Sequence, residues 1–213
     1  MKAPSPASST SGRKAQAKRN DAHILHAARK VFLANPDAPI SAVAREAGVG
    51  ISALYLRYRN KDELLRRLCS DGLQRYIAET EAALADRGDV WIAYLGFMRR
   101  IVEADTHSLV RRLAGTFRPS KELYREAARS QELTIKLFER VQAAGAIRSD
   151  IEVVDIALIF EQLAAVQIGS PRRTAQLRQR YLALILDALR APNNKPLPGP
   201  PPDWKDLNSR WDR

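Results

Sequence analysis

The sequence predicts an all-α chain in two parts: a small N-terminal unit of three helices containing a helix-turn-helix, and a larger C-terminal helical bundle. Three observations carry that expectation. The twelve prolines crowd the two ends, and only Pro119 and Pro171 fall between residues 40 and 191, so long stretches are free of helix breakers. Apolar residues recur through those stretches at intervals of three and four, the period of a helix with one buried face. Charge is uneven: of a formal net +11, +7 lies in the first 60 residues, where ten Lys/Arg stand against three Asp/Glu. A basic N-terminal third beside a near-balanced remainder suits a polyanion-binding module joined to something else, with an ordinary Lys/Arg-rich surface as the competing reading.

At 213 residues the chain is long enough to bury a substantial core. Its single cysteine excludes an intramolecular disulfide framework and suits a reducing compartment. No apolar run approaches the ~18 residues of a membrane span, and Met1 to Arg19 has no signal-peptide core. A cytoplasmic chain with no membrane partner is expected.

Residues 1–19 are rich in Ser, Ala and Pro, with five basic residues and no acid. Such a segment cannot bury apolar surface, so it reads as a disordered basic arm that either follows a duplex or serves as a solubilising tail. A first helix is expected from about Asn20 to Ala34, with Ile24, Ala28, Val31 and Phe32 on one face and Pro36 beyond its end. His23 and His26 stand at a metal-compatible spacing, but no Cys or acidic cluster accompanies them, so surface histidines and no metal are expected.

Residues 40–65, ISAVAREAGVGISALYLRYRNKDELL, organise the N-terminal unit, taken as residues 20–66. Val43, Ala44 and Ala47 share one face of a short helix opening near Ser41; Gly48 breaks it, and Val49, Leu54 and Tyr58 resume an apolar face on a helix from Ile51 to Tyr58. Two helices crossing over a tight turn need a small residue where they approach, which Ala44 supplies, and a turn residue tolerant of positive φ, which Gly48 supplies. Val49 then plugs the gap. Asn60 can cap the next helix, whose N-terminal amides favour an anion beside Lys61.

This segment resembles the DNA-binding part of the TetR family of bacterial transcriptional regulators, through Ala47-Gly48-Val49, Leu54-Tyr55, Tyr58 and Asn60-Lys61-Asp62. It departs from the pattern at Gly50, where Ser or Thr is usual, at Ser52, often Gly, and at Arg57, often Tyr or His. The match covers residues 20–68, about a quarter of the chain; beyond it the likeness is one of architecture. The resemblance implies phosphate contacts from the Tyr55 hydroxyl and Lys61. With the outward positions of the helix-turn-helix, the expected DNA-binding set is Arg45, Gly50, Ser52, Ala53, Tyr55, Leu56, Arg57, Arg59 and Lys61. Small residues at 52 and 53 allow close approach to a groove, and Arg57 can address a guanine edge or a phosphate.

The C-terminal domain, residues 67–191, is reached through one long helix from Lys61 to about Ala85 carrying the stripe Leu65, Cys69, Leu73, Tyr76, Thr80 and Leu84. Cys69 on that stripe reads as a buried structural thiol. The resemblance implies that this helix moves on ligand binding and resets the spacing of two readers in a dimer. Further helices are expected over 89–102, 108–115, 120–144, 151–168 and 177–189, with Gly145 as a C′ stop. For a small-molecule pocket the aromatic, Met and polar supply points to Trp91, Tyr94, Met98, Arg111, Phe117, Phe138 and Gln162, with His107, Arg112 and Glu161 as further polar candidates. The last two helices are apolar on more than one side and need a second cover. The resemblance implies a dimer through them, so Ile159, Leu163, Val166, Tyr181, Leu184 and Ile185 are the expected interface, isologous about a two-fold axis.

Residues 192–213 form a Pro-rich tail, expected to be extended or disordered, in which Trp204 and Trp211 are unusual for a spacer. No G-x-S-x-G, P-loop or H-E-x-x-H pattern appears, so the chain is not read as an enzyme and no cofactor is expected. The expected function is a dimeric, ligand-responsive repressor on a palindromic double-stranded DNA operator, with a small-molecule effector. A ligand-independent architectural DNA binder and an all-helical enzyme are the alternatives.

Overall fold

The computed structural model describes residues 7–113, 115–190 and 195–208; among them, regular structure is helical apart from one isolated bridge between Ile147 and Arg190. They fall into two compact units, one up to Leu68 and the other from Cys69 onward.

In the first unit, α1 (Ala7–Ala34) packs on α2 (Ile40–Glu46) through Ile24, Leu25, Ala28 and Phe32, all buried. The helix starts well before Asn20. Residues 7–19, expected to lack structure, continue α1; Ala15, Gln16, Ala17, Lys18 and Arg19 are good helix formers, whereas propensity does not explain the helix over Ser8 to Gly12. Residues 1–6 of the expected arm lie outside the described residues. After α2, Gly48 takes φ +62°, its N–H donates to the Arg45 carbonyl at 3.1 Å, and the Val49 N–H donates to Ala44 at 3.0 Å. That is a Schellman stop, and it aims α3 (Ile51–Arg57). Gly50 opens α3 without a side-chain cap, so this seven-residue helix depends on packing. Leu54, fully buried, contributes on the order of 2 kcal/mol. α4 (Lys61–Ala85) begins with reciprocal bonds: Asn60 Oδ1 accepts from the Glu63 N–H at 2.9 Å, and Glu63 accepts from the Arg59 N–H at 2.8 Å.

The second unit continues α4 and adds α5 (Val90–Ala104), α6 (Thr106–Leu113), α7 (Lys121–Ala143), α8 (Val153–Ala165), α9 (Pro171–Leu189) and α10 (Trp204–Asn208). Its core is built from one face of each long helix: Tyr76 of α4, Tyr94, Phe97 and Met98 of α5, Phe138 and Val141 of α7, Ile156 and Phe160 of α8, and Leu182 and Leu186 of α9. Gly145 stops α7 with a second Schellman pair, Ala146 N–H to Val141 at 3.2 Å and Gly145 N–H to Gln142 at 2.9 Å. α9 begins six residues before the expected Leu177. Ser170 caps it, accepting from the Arg173 N–H at 3.2 Å, and Pro171 sits at its first position, where a missing N–H costs nothing. Its buried Arg178 meets Asp105 at 2.7 Å and donates to the carbonyls of Val166 (3.0 Å) and Ala164 (2.9 Å), so the charge is compensated.

Two expectations need correction here. Leu163 is 3% exposed and belongs to the core of its own chain, because α8 turns that position toward α5 and α9. The tail is not uniformly extended: α10 packs against α8. No described helix is long and apolar enough to cross a membrane.

Candidate nucleic-acid interface and ligand cavity

α3 buries Leu54 and turns Ser52, Ala53, Tyr55, Leu56 and Arg57 outward, while Arg45, Gly50 and Arg59 are exposed beside it. Leu56 is 89% exposed and Tyr55 48%. A leucine that exposed has no part in the unit's core.

Arg57 and Lys61 are held more closely than their sequence positions suggest. Arg57 Nε lies 2.9 Å from Asp21 Oδ1, the Tyr58 hydroxyl donates to the same oxygen, and Arg67 reaches Asp21 Oδ2 at 3.6 Å. One α1 carboxylate thus gathers three groups, from α3, from the residue that follows it and from α4. Burial, reinforced by the bond to Asp21, holds the Tyr58 phenol well above its usual range, so it remains a donor. Sequence reasoning passes over Asp21; the available signal is the lone acid in an otherwise basic helix. Lys61 Nζ donates to the Pro36 carbonyl at 2.8 Å and lies 5.3 Å from the centroid of the Phe32 ring, fastening the loop before α2. His23 Nε2 is 3.1 Å from the Ala47 carbonyl, a brace between α1 and the turn. Among the described residues, no three potential ligands gather to hold a metal.

The second unit contains a cavity of about 240 Å³. α4 lines it with Cys69, Gly72, Leu73 and Tyr76, α6 with Thr106, His107 and Leu109, and α7 with Ala127, Ser130, Gln131 and Thr134. α8 adds Ile156, Ala157, Phe160 and Glu161, and α10 adds Trp204 and Leu207. The space exists because Gly72, Ala127, Ser130 and Ala157 are small where their neighbours are large. His107 stacks on Phe160, with centroids 4.7 Å apart and planes 20° from parallel. Burial lowers its pKa to about 4, more than the nearby Asp105 raises it, so the ring is neutral at pH 7. Burial pushes the Cys69 thiol up to about 12. It does the same to the Tyr76 phenol, opposed by the bond from the Thr134 hydroxyl at 3.0 Å. Among the described lining residues, Glu161 is the one acidic side chain and none is Lys or Arg. Thr134 and Ile156 also line a void of about 10 Å³ beside Tyr94, whose buried hydroxyl has no partner among the described residues.

Residues 24–68, the stretch holding this helix-turn-helix, match the model of the bacterial regulatory proteins of the tetR family. The chain belongs to the TetR family. Residues 86–191 match the C-terminal domain of SbtR-like transcriptional regulators within it. Among solved structures, the TetR transcription regulatory protein of Mycobacterium vanbaalenii is similar at 26% identity and TM-score 0.58, covering 84% of this chain and 99% of its own. The TetR regulator SCO0520 of Streptomyces coelicolor matches at 26% identity and TM-score 0.58, covering 81% and 99%. LfrR of Mycobacterium smegmatis, solved in complex with proflavine, shares the fold at 19% identity and TM-score 0.55, covering 78% and 95%. Among curated proteins, none matches the chain.

In this TetR-family chain the pocket expectation requires revision. Trp91, Tyr94, Met98 and Phe138 pack in the core; Tyr94 and Phe138 reach only the small void, Phe117 is half-buried away from the cavity, and Gln162 is exposed. The Arg111 side chain lies outside the described residues. Large apolar side chains fill space, whereas the cavity opens where small residues on several helices face one another, a coincidence that single-helix periodicity does not reveal. His107 and Glu161, named from polarity, do line it. On the α8 and α9 surface, Tyr181 (44%) and Leu184 (57%) are exposed, and Ile159, Val166 and Ile185 are partly buried.

Proposed function

We propose that this TetR-family regulator is a cytoplasmic, ligand-responsive repressor that binds a palindromic operator as a homodimer. The observation that carries ligand response is the 240 Å³ cavity, whose lining has aromatic walls, hydroxyls and a neutral imidazole. The DNA side rests on the outward face of α3. Ser52 and Ala53 let the helix approach a groove, Tyr55 addresses a phosphate, Leu56 meets a base methyl, and Arg45 and Arg59 contribute backbone contacts. Arg57 and Lys61 take part once they exchange Asp21 and the Pro36 carbonyl for phosphate. Two-fold pairing through the exposed faces of α8 and α9 presents two readers, and operator symmetry mirrors protein symmetry.

α4 ties the two activities together. The helix that lines the cavity with Cys69, Gly72, Leu73 and Tyr76 is the one that begins at Lys61, so a ligand pressing on it acts on the reader's own scaffold. Derepression requires only that ligand bind the DNA-incompetent arrangement more tightly. The Cys69 thiol, protonated at working pH, and a neutral His107 suit a binding site better than a nucleophilic one. The experiment is an operator titration with and without a cavity-filling molecule. Ligand-dependent loss of operator binding supports the reading; tight binding that no ligand alters supports the ligand-independent DNA binder.

A further inference from the structure

We propose that the C-terminal segment 195–208 is a built-in lid on the ligand cavity, with Trp204 and Leu207 forming the wall against which an uncharged, largely apolar molecule packs. The inference rests on the ligand-binding reading and adds to it a door and a ligand class.

The segment is anchored at its start. The buried Arg148 guanidinium pairs with Asp150 through two bonds, 2.5 and 2.8 Å, and donates to the Lys195 carbonyl at 2.7 Å. Asp150 also accepts from the Leu197 N–H at 2.9 Å, and these bonds hold its carboxyl well below the usual carboxylate range. From there, Pro198, Pro200, Pro201 and Pro202 restrict the backbone, while Gly199 at φ +77° makes a left-handed bend. A proline-rich spacer of this kind is semi-rigid, so it delivers the helix beyond it to a defined place. α10 then holds itself together: Asp203 accepts from the N–H groups of Lys205 (2.7 Å) and Asp206 (3.0 Å), and Asp206 accepts from the Asp203 N–H at 2.9 Å. The result is one tryptophan and one leucine facing the cavity from an otherwise polar helix. This assigns a role to a tryptophan that a mere spacer does not need. Trp211 lies outside the described residues.

The lining sets the ligand class. Among the described residues, no Lys or Arg lines the cavity, and its carboxylate, Glu161, is already engaged in an interaction of its own. An anion entering beside Tyr76, Phe160 and Trp204 finds no counter-charge among the described lining residues, and desolvation opposes it.

Cys69, the chain's only cysteine, lies inside and reports the opening. The test measures alkylation of Cys69 by iodoacetamide, a small uncharged reagent, in the full-length protein and in full-length Trp204→Ala/Leu207→Ala, alongside titration with the neutral dye N-phenyl-1-naphthylamine and its anionic sulfonate relative 1-anilinonaphthalene-8-sulfonate. A closed lid keeps the reactive open state at or below about 10%, so alkylation should accelerate about tenfold or more in the double variant, with helix content unchanged. Trp204→Phe, which keeps an aromatic wall, should restore the slow rate. The neutral dye should bind the wild type about tenfold or more tightly than the sulfonate. An unchanged alkylation rate overturns the lid while dye binding leaves the ligand-binding reading standing. Accelerated alkylation with no dye binding, or with the sulfonate preferred, overturns the ligand class instead.

Discussion

Leu184→Glu is the substitution that separates assembly from folding in this chain. Leu184 is 57% exposed on α9, so in an isolated protomer a glutamate there meets water and costs folding little. In the proposed two-fold dimer the same position is covered on both protomers. Each buried leucine lost forfeits ~1.5–3 kcal/mol, so symmetry brings the loss to roughly 3–6 kcal/mol before any penalty for two desolvated carboxylates. That corresponds to a dissociation constant raised by two to four decades or so, enough to leave monomers at micromolar concentration. Leu163→Glu is the control with the opposite signature, since a charge placed in the core at 3% exposure should unfold the C-terminal unit and lower its melting point sharply. Sedimentation equilibrium, far-ultraviolet dichroism and operator titration on both variants give the comparison. A helical, monomeric Leu184→Glu with operator affinity reduced far more than by any single reader substitution is the expected result. A Leu184→Glu protein that stays dimeric and binds normally would refute the assignment of this face.

Lys61→Ala removes the bond to the Pro36 carbonyl and the contact over Phe32, so the reader unit should lose about 1 kcal/mol, and the slope of log affinity against log salt should fall by roughly 0.9; an unchanged slope would exclude a phosphate contact. Gly48→Ala places a side chain at φ +62°, where its Cβ meets nothing within 4 Å, so the cost is backbone strain of about 1–2 kcal/mol, read as a lower denaturation midpoint of the reader unit. His107 is depressed from 6.5 to about 4 by burial, so the unfolded chain binds its proton first as pH falls. Stability from this group is complete above pH 6.5 and declines toward pH 4, by roughly 1–3 kcal/mol; a His107→Gln protein should show a flatter melting profile over that window.

Much of the fold was legible because helix boundaries carry their own chemistry. α4 runs from Lys61 to Ala85, where Asn60 and the apolar stripe put it, and Gly48 and Gly145 end helices by the same positive-φ stop. The start of α9 is equally available in Ser170-Pro171, but the apolar face that draws attention begins only at Leu177. Residues 7–19 show composition and propensity in conflict: few apolar groups argue against structure, while Ala, Gln, Lys and Arg carry the helix on. The outward face of α3 could be read from spacing, yet the partners of Arg57 and Lys61 could not, since Asp21 and Pro36 are 36 and 25 residues away in sequence. The cavity was the least legible feature. Gly72, Ala127, Ser130 and Ala157 look like ordinary small residues until separate helices bring them together, and Trp204 reaches them from beyond a proline-rich spacer.

In the proposed function, α3 of a two-fold dimer reads DNA and the cavity controls it. Selection of bound duplexes from a random-sequence pool, with wild-type protein at physiological salt, tests whether α3 reads DNA in this way. The expected result is an enriched inverted repeat whose half-sites are each lost when Leu56 and Tyr55 are replaced by alanine. Recovery of duplexes without a common sequence, or of a single unrepeated site bound equally well by the alanine variant, would contradict it.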